Sequence, residues 1–224
     1  MRKISGRAFF LFFAIYFPIV VLSFLTSGWM LNALPLDDFR AIVATILAII
    51  LFFIYLMIAY RLFLKFIPLR AGEIAPKSKD ELIYFIYVLF FLLGFYTLTR
   101  SSILPVPLMR LIYIGLGAKL GSNTYPSGFL DDPIFIKIGK NVIIGQNALI
   151  IPHVMENDRL AFYPIDIGDN VTVGALTMVM AGVKIGNNSI VAAGSVVPKG
   201  TVIGNNELWA GTPAKLIKKI EAIA

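Results

Sequence analysis

Two kinds of hydrophobic pattern divide this chain. Over the first hundred residues apolar side chains come in unbroken runs, whereas from Ile138 onward they return singly at every sixth position. The runs "AFFLFFAIYFPIVVLSFL" (Ala8 to Leu25) and "AIVATILAIILFFIYLMIAY" (Ala41 to Tyr60) carry no charge and approach the ~20 residues that a spanning helix needs. Both are predicted to be transmembrane helices. A third run, "LIYFIYVLFFLLGFYTL" (Leu82 to Leu98), is just long enough to cross thinly.

Charge decides how these runs are read. Arg2, Lys3 and Arg7 precede the first, Asp37 and Asp38 dominate the short connection, and Arg61, Lys65, Arg70, Lys77 and Lys79 follow the second. Basic residues collect on the cytoplasmic side, so both outer flanks are expected there. If the third run crossed, Arg100, Arg110, Lys119 and the whole C-terminal half would lie outside, against that bias. It is expected to re-enter or to lie in the interface, and "SSILPVPLMRLIYIG" continues in the same character, with prolines and an Arg among apolar residues. The expected organisation is two transmembrane helices over 1–70, an interfacial or re-entrant helical segment over 71–112, and a separate domain over 113–224. The first run is too long for the apolar part of a cleaved signal peptide, and no small-residue cleavage site follows it.

The composition agrees with a membrane setting: 58% of residues are apolar and 15% charged, outside the ordinary range of a soluble domain. The net charge of +7 sits beside the apolar runs, where anionic lipid attracts it, so no nucleic-acid partner is needed to explain it. The chain has no cysteine, which excludes disulfides and thiolate metal sites.

The six-residue return runs through Ile138, Ile144 and Ile150, then resumes at Ile167, Val173, Val179, Ile185, Val191, Val197 and Ile203. A helix would demand apolar spacings of three and four, whereas a strict six with β-branched residues fits short strands turned by Gly, Asn and small residues. Each strand buries its inward aliphatic only if the next coil stacks on it, so a β-solenoid is predicted. "IGLGAKLG" carries the register back to Leu120 and Ile114, which would start the column close to the membrane.

With its Ile-Gly hexads, "VAAGSVVPKGTVI" and the closing "WAGTPAKLIKKI", the stretch 114–220 resembles the hexapeptide-repeat acyltransferases, which include galactoside, maltose, serine and other sugar O-acetyltransferases. The resemblance implies a mainly β fold, a left-handed parallel β-helix shaped like a triangular prism. It also implies a homotrimer and acetyl-CoA as acyl donor. The first hundred residues lie outside it.

The register is broken once. Ile150 to Ile167 spans seventeen steps where six would keep it, so about eleven residues leave the column, and they carry His153, the only histidine. In the sugar acetyltransferases a loop at the corresponding place bears the catalytic histidine, and "NALIIPH" resembles their Asn-then-His arrangement; Asn147 and His153 are the matching positions. A hydroxyl attacks a thioester poorly at neutral pH, and an imidazole titrating there takes its proton during attack. His153 is the expected general base. Asn147 is expected to hold the acceptor or to donate to the oxyanion, although Asn also suits a coil corner. Glu156, or alternatively Asp158, is the nearby carboxylate that would orient the imidazole. Arg159 is either an anchor for an anionic acceptor or a solvated loop charge.

By the family's pattern the oxyanion would meet a backbone N–H of Gly174 or Ala175. Ala193 and Gly194 would let the pantetheine arm lie close to the column, and Lys199, Lys215 and Lys218 would meet CoA phosphates. Trp209 either lines the adenine end or continues the packed register. A zinc enzyme on this scaffold would need several histidines, so no metal is expected. The reading is a cytoplasm-facing, membrane-anchored O-acetyltransferase acting on a lipid-linked or cell-surface glycan, with membrane lipids as partners. The alternatives are long-chain transfer from acyl carrier protein to a lipid, and a non-catalytic membrane scaffold.

Overall fold

The computed structural model describes residues 2–101 and 103–221, and the chain divides into two compact units. One, a helical unit, comprises 2–69 and 76–97; the other takes in 70–75 and the chain from Leu98 onward. The expected single segment 71–112 is thus divided between them.

In the helical unit, α1 (Gly6–Leu31) starts at Ser5, whose Oγ accepts from the Ala8 N–H at 3.2 Å. Helix α2 (Arg40–Phe66) pairs with it. Ser27 Oγ donates across the pair to the Ala44 carbonyl at 2.6 Å, a bond that satisfies a buried hydroxyl in apolar surroundings. Ser78 and Glu81 open α3 (Lys79–Leu89) with a capping box: Ser78 Oγ accepts from the Glu81 N–H at 3.1 Å while the Glu81 carboxylate reaches back to the Lys77 N–H at 2.6 Å. Arg2 reaches the same Glu81 at 3.1 Å, which sets the start of α3 beside the start of the chain. Helix α3 continues through a π-helical stretch (Phe90–Phe95) into α4 (Tyr96–Arg100).

Phe12, Tyr60 and Phe63 pack around Phe90 with ring centroids 5.2, 5.9 and 5.7 Å away. Gly94 lets Leu56 approach, for a Cβ there would stand 2.5 Å from Leu56 Cδ2. The most apolar stretch of Lys79–Arg100 is 61% buried, against 22% and 11% for the corresponding stretches of the two earlier helices. It is therefore the packed member of this unit, while the other two keep broad apolar surfaces outward. By length and composition all three are apolar enough to cross a membrane. The expectation that the third does not cross rests on charge alone.

In the second unit, α5 (Val106–Gly115) ends at Gly117, whose φ of 111° is open to glycine. Leu108, Leu111 and Ile114 stay exposed on it. Ile114, expected as the first rung of the column, belongs instead to this helix; the column starts at the strand Lys119–Leu120. Arg110 points back toward the column, its Nε and Nη2 donating to the Thr124 and Gly121 carbonyls at 3.0 Å each. Tyr113 is fully buried, receives the Leu130 N–H at 3.3 Å and donates to the Gly128 carbonyl at 3.4 Å. Burial pushes its hydroxyl pKa up to about 12.

The column itself is a parallel solenoid of three sheets. Ile167 pairs with Ile185 and Ile185 with Ile203, Val173 with Val191, and Val179 with Val197, which is eighteen residues or three hexads per coil. The ten aliphatics from Ile138 to Ile203 named by the register are all at most 3% exposed. Fully burying each such side chain stabilises by about 1.5–3 kcal/mol, so the ladder is the main apolar core of the unit. The far end closes with an antiparallel hairpin, Glu207–Gly211 and Ala214–Lys219. Trp209 pairs with Val191 in register, and its indole N–H donates to Glu207 at 2.8 Å.

One corner explains the recurrent "N" of the hexads. Asn123, Asn141, Asn170, Asn188 and Asn206 all hold φ between 53° and 57°, a left-handed conformation that Asn tolerates better than most residues. Their side chains stack along the corner, each amide donating to the next at 3.0 to 3.1 Å. Replacing Asn170 by Gly keeps the backbone and loses the amide links, whereas Asn170→Ala loses both. The Ala variant should therefore be the less stable of the two by about 1 kcal/mol, read from thermal unfolding of the detergent-solubilised protein by Trp209 fluorescence in a Trp29→Phe background. Equal midpoints would show that the left-handed backbone is not what selects Asn there.

Candidate active site

The interruption is a folded hairpin rather than an irregular loop. Ile138 pairs with Ile167, twenty-nine residues on instead of eighteen, so eleven residues are added, as the broken register predicts. They include the antiparallel strands His153–Glu156 and Arg159–Phe162, with Asn157 at φ 51° in the tight turn. The edge strand Gly72–Glu73 adds to this hairpin as a third strand against Phe162 and Ala161. His153 stands at the hairpin's root, where the chain leaves the column.

Its partner comes from the preceding coil. Leu130 pairs with Ile150, and the Asp131 N–H donates to the Ile150 carbonyl at 3.0 Å, so the residues after Leu130 run beside those that lead to His153. Asp132 adopts φ 48°, ψ 62° ahead of the 3-10 turn Pro133–Phe135. There its Oδ2 lies 2.5 Å from His153 Nδ1. Phe135 stacks on Phe162 of the hairpin at 4.6 Å, which holds the corner against the strand opposite His153. The carboxylate side chain is 10% exposed and the imidazole 34%. The carboxylate is shielded while the imidazole can be reached from solvent.

Electrostatics follows from this placement. Burial pulls the imidazole down, but the hydrogen bond to Asp132 and its charge, with Asp131 behind it, outweigh burial and hold His153 above its ordinary value. Burial pushes the Asp131 carboxyl up, against the pull of Arg100. A carboxylate on Nδ1 fixes the tautomer that leaves Nε2 as acceptor, and among the described residues Nε2 has no protein partner.

The carboxylate expected to orient His153 is elsewhere. Glu156 pairs with Lys199 Nζ and lies 3.5 Å from Arg159. Strand alternation is the reason: residues 153 and 156 project to opposite faces. Asp158 occupies the hairpin turn. Lys199, expected to meet phosphate, therefore has a carboxylate on it, which with Arg159 holds Glu156 below the usual range. Arg159 is exposed but paired. Its Nε and Nη2 donate to Glu73 at 2.9 and 2.7 Å, and the Tyr163 hydroxyl donates to the same oxygen at 2.6 Å, a set that raises the guanidinium pKa.

Asn147 is exposed at a coil corner with φ 57°, in line with Leu176 at 59° and Gly194 at 70°. Among the described residues its side chain has no hydrogen-bond partner, so this structure does not connect it to His153. Of the two oxyanion candidates, the Gly174 N–H is committed to the Val191 carbonyl at 2.8 Å. The Ala175 N–H has no such commitment among the described residues, while its carbonyl accepts from Gly194 at 2.9 Å. Ala193 and Gly194 are exposed, and a Cβ on Gly194 would meet nothing within 4 Å. Lys215 and Lys218 are exposed on the closing hairpin. Among the described residues no group of three or more His, Asp or Glu is placed to hold a metal ion.

Asp132 was hidden in the sequence, but not without a signal. It occupies the hexad slot between Pro126 and Ile138, where an aliphatic is due, and Leu130 takes the inward place two residues early. Arg100 and Glu73, which reach Asp131 and Arg159, lie far away in sequence and carry no local signal at all.

Comparison with known proteins agrees with this fold. Residues 164–199 match the family described as bacterial transferase hexapeptide (six repeats). A hexapeptide-repeat-containing acetyltransferase of Vibrio cholerae O1 biovar eltor, solved with acetyl coenzyme A, is 22% identical, with a TM-score of 0.52 over 66% of this chain and 93% of its own. That similarity establishes a shared fold. A maltose O-acetyltransferase of Clostridium difficile is 31% identical over 48% of this chain and 62% of its own, with a TM-score of 0.40. A galactoside acetyltransferase in complex with coenzyme A is 26% identical over 56% and 76%, with a TM-score of 0.45. No curated protein matches the sequence.

Because Asp132 is what overcomes the effect of burial, Asp132→Asn should lower the titration midpoint of His153 below that of the native protein. The chain has one histidine, so the nuclear magnetic resonance signal of a labelled imidazole reads this directly. An unchanged midpoint would mean that the carboxylate does not hold the ring in solution.

Proposed function

We propose that this hexapeptide-repeat chain is a membrane-anchored acyltransferase that moves an acetyl group from acetyl-CoA to a hydroxyl of a sugar, with His153 as general base. The observation that carries this reading is the 2.5 Å contact of His153 Nδ1 with Asp132, built where eleven added residues leave the column. The Vibrio cholerae relative that shares the fold was solved with acetyl coenzyme A, which supports the choice of donor. As in that fold class generally, the column is taken as left-handed and the assembly as a homotrimer. Exposed Tyr125, Ile143 and Ile190 on one sheet, with Thr172 between the last two, favour association through that face.

In this reading His153 Nε2 accepts the hydroxyl proton as the oxygen attacks the thioester carbon, and Asp132 supports the imidazolium that forms. The Ala175 N–H is the candidate to receive the charge that develops on the carbonyl oxygen. The carbonyl then re-forms, the carbon–sulfur bond breaks, and the imidazolium returns its proton to the departing thiolate. Open surface at Ala193 and Gly194 suits the pantetheine arm, and Lys215 and Lys218 are the cations left for phosphate, with Lys199 available once Glu156 is displaced. Glu156 has a salt-bridge role in this reading, and Asn147 stays a candidate acceptor contact.

The apolar helices argue for an acceptor at the membrane. Exposed Ile103, Leu108, Leu111 and Ile114 give α5 and the segment before it an apolar outer stripe, as an interfacial helix has. Basic flanks at Arg2, Lys3 and Arg7 favour cytoplasmic placement of the N-terminus. A lipid-linked or cell-surface glycan precursor fits such an anchor, with membrane lipids as the other partner.

The reading is tested by calorimetric titration of the detergent-purified protein with acetyl-CoA, free CoA and longer acyl-CoAs, followed by assay of His153→Ala. Acetyl-CoA and CoA should bind and longer chains should not, and transfer should fall by about 10²–10⁴ in His153→Ala with donor binding retained. Binding of none of these ligands would favour an acyl-carrier-protein donor or a non-catalytic scaffold, and full activity in His153→Ala would refute the assigned base.

A further inference from the structure

Two consecutive carboxylates, Asp131 and Asp132, stand beside one imidazole, and such a pair is electrostatically awkward. Like charges at this spacing disfavour each other's ionised form, and burial of both adds to the cost. A cation answers the first of them. Arg100, the last residue of α4, places Nη2 2.7 Å from Asp131 Oδ1, and its guanidinium carbon lies 4.2 Å from the centroid of the Phe129 ring. Neither side chain of the ion pair is more than 23% exposed. A guanidinium stacked on a ring and paired with a carboxylate is held in orientation as well as in charge.

We infer that Arg100 is a positioning residue for the active site: its ion pair offsets the charge of Asp131, so that Asp132 is the carboxylate that acts directly on His153. The inference rests on the reading of His153 as the base. Its consequence is a base on which the second carboxylate acts only in part, its charge offset by the guanidinium paired with it. A second bare carboxylate would favour the imidazolium further, and a base already protonated cannot accept a proton from the hydroxyl.

The charged surroundings are few enough to name. Asp132 faces His153 from the coil corner with Asp131 behind it. Arg100 comes from α4 and Tyr113, neutral across the working range, from α5; both face Asp131. Glu156 and Arg159 on the hairpin pair with Lys199 of the column and Glu73 of the edge strand. Arg100 is thus the cation that bears on the acidic pair. Its role is distinct from a fold contact because it predicts opposite signs for two substitutions and cancellation when they are combined.

The measurement is the titration midpoint of the single imidazole in full-length protein, labelled at histidine with carbon-13 and nitrogen-15, purified without a histidine tag and held in detergent micelles. Arg100→Gln should raise the midpoint by about half to one pH unit, because Asp131 is left uncompensated. Asp131→Asn should lower it, because the Arg100 charge is then unopposed. The double variant should return close to the native value, and Arg100→Lys, which keeps the charge, should stay nearer to native than Arg100→Gln. In an activity profile the acid limb should follow the same order, with activity of Arg100→Gln recovering at alkaline pH.

Midpoints that do not move in Arg100→Gln and Asp131→Asn, or that move in the same direction in both, overturn the inference. Should Arg100→Gln fail to fold, Asp131→Asn and Arg100→Lys still decide it. Full transfer activity in His153→Ala would instead overturn the base assignment, an outcome read independently of these midpoints.

Discussion

Everything in the solenoid unit answers to one constraint: a strand of two or three residues buries its inward side chain only when another coil lies against it. The cost of a misfit is therefore shared with both neighbouring coils, and the eighteen-residue repeat is kept from Ile167 to Ile203 without deviation. The polar counterpart obeys the same rule. The corner amides of Asn141, Asn170 and Asn188 each need a neighbour one coil away to complete their hydrogen bonds. A structure so repetitive has little freedom for chemistry within the column, and the residues that can do chemistry collect where the period is broken.

It is broken twice, in opposite ways. The eleven added residues between Ile150 and Ile167 leave the column as a hairpin with its own small core of Val154, Ala161 and Ala181. The earlier break adds nothing: the count from Leu120 to Ile138 stays at eighteen, but Leu130 moves inward early and a left-handed Asp132 is turned out at the corner. Coil stacking then sets one irregularity on the other. The pairing of Leu130 with Ile150 is what brings Asp132 to His153, so the dyad is a product of the same register that builds the core.

This also explains which parts were legible in the sequence. The aliphatic hexads, the insertion length and the singular position of His153 are local or periodic properties and could be read directly. The partner of His153 is twenty-one residues away and depends on one coil lying on the next. Reasoning from nearness favoured Glu156, but period-two alternation along a strand turns that residue to the other face, toward Lys199. Ile114 shows the converse error. It satisfies the six-residue count, yet Gly117 and the Pro105 entry make its segment a helix, and a single register match cannot outweigh local helix signals. Arg110 was legible as a basic residue among apolar ones, though not its direction, which two carbonyls of the first coil determine.

The site sets two physical tendencies against each other. Burial favours a neutral imidazole, while an adjacent carboxylate favours the imidazolium; the general-base role proposed for His153 needs each form in turn. Asp132 shifts that balance toward the imidazolium. Asp131 would disturb that balance by its position in the chain, next to Asp132 at the corner whose backbone bonds to Ile150. An ion pair with Arg100 leaves the backbone contact intact while taking the charge out of play. The remaining exposed charges, Glu73 with Arg159 and Glu156 with Lys199, lie in solvent, where such pairs contribute little to stability.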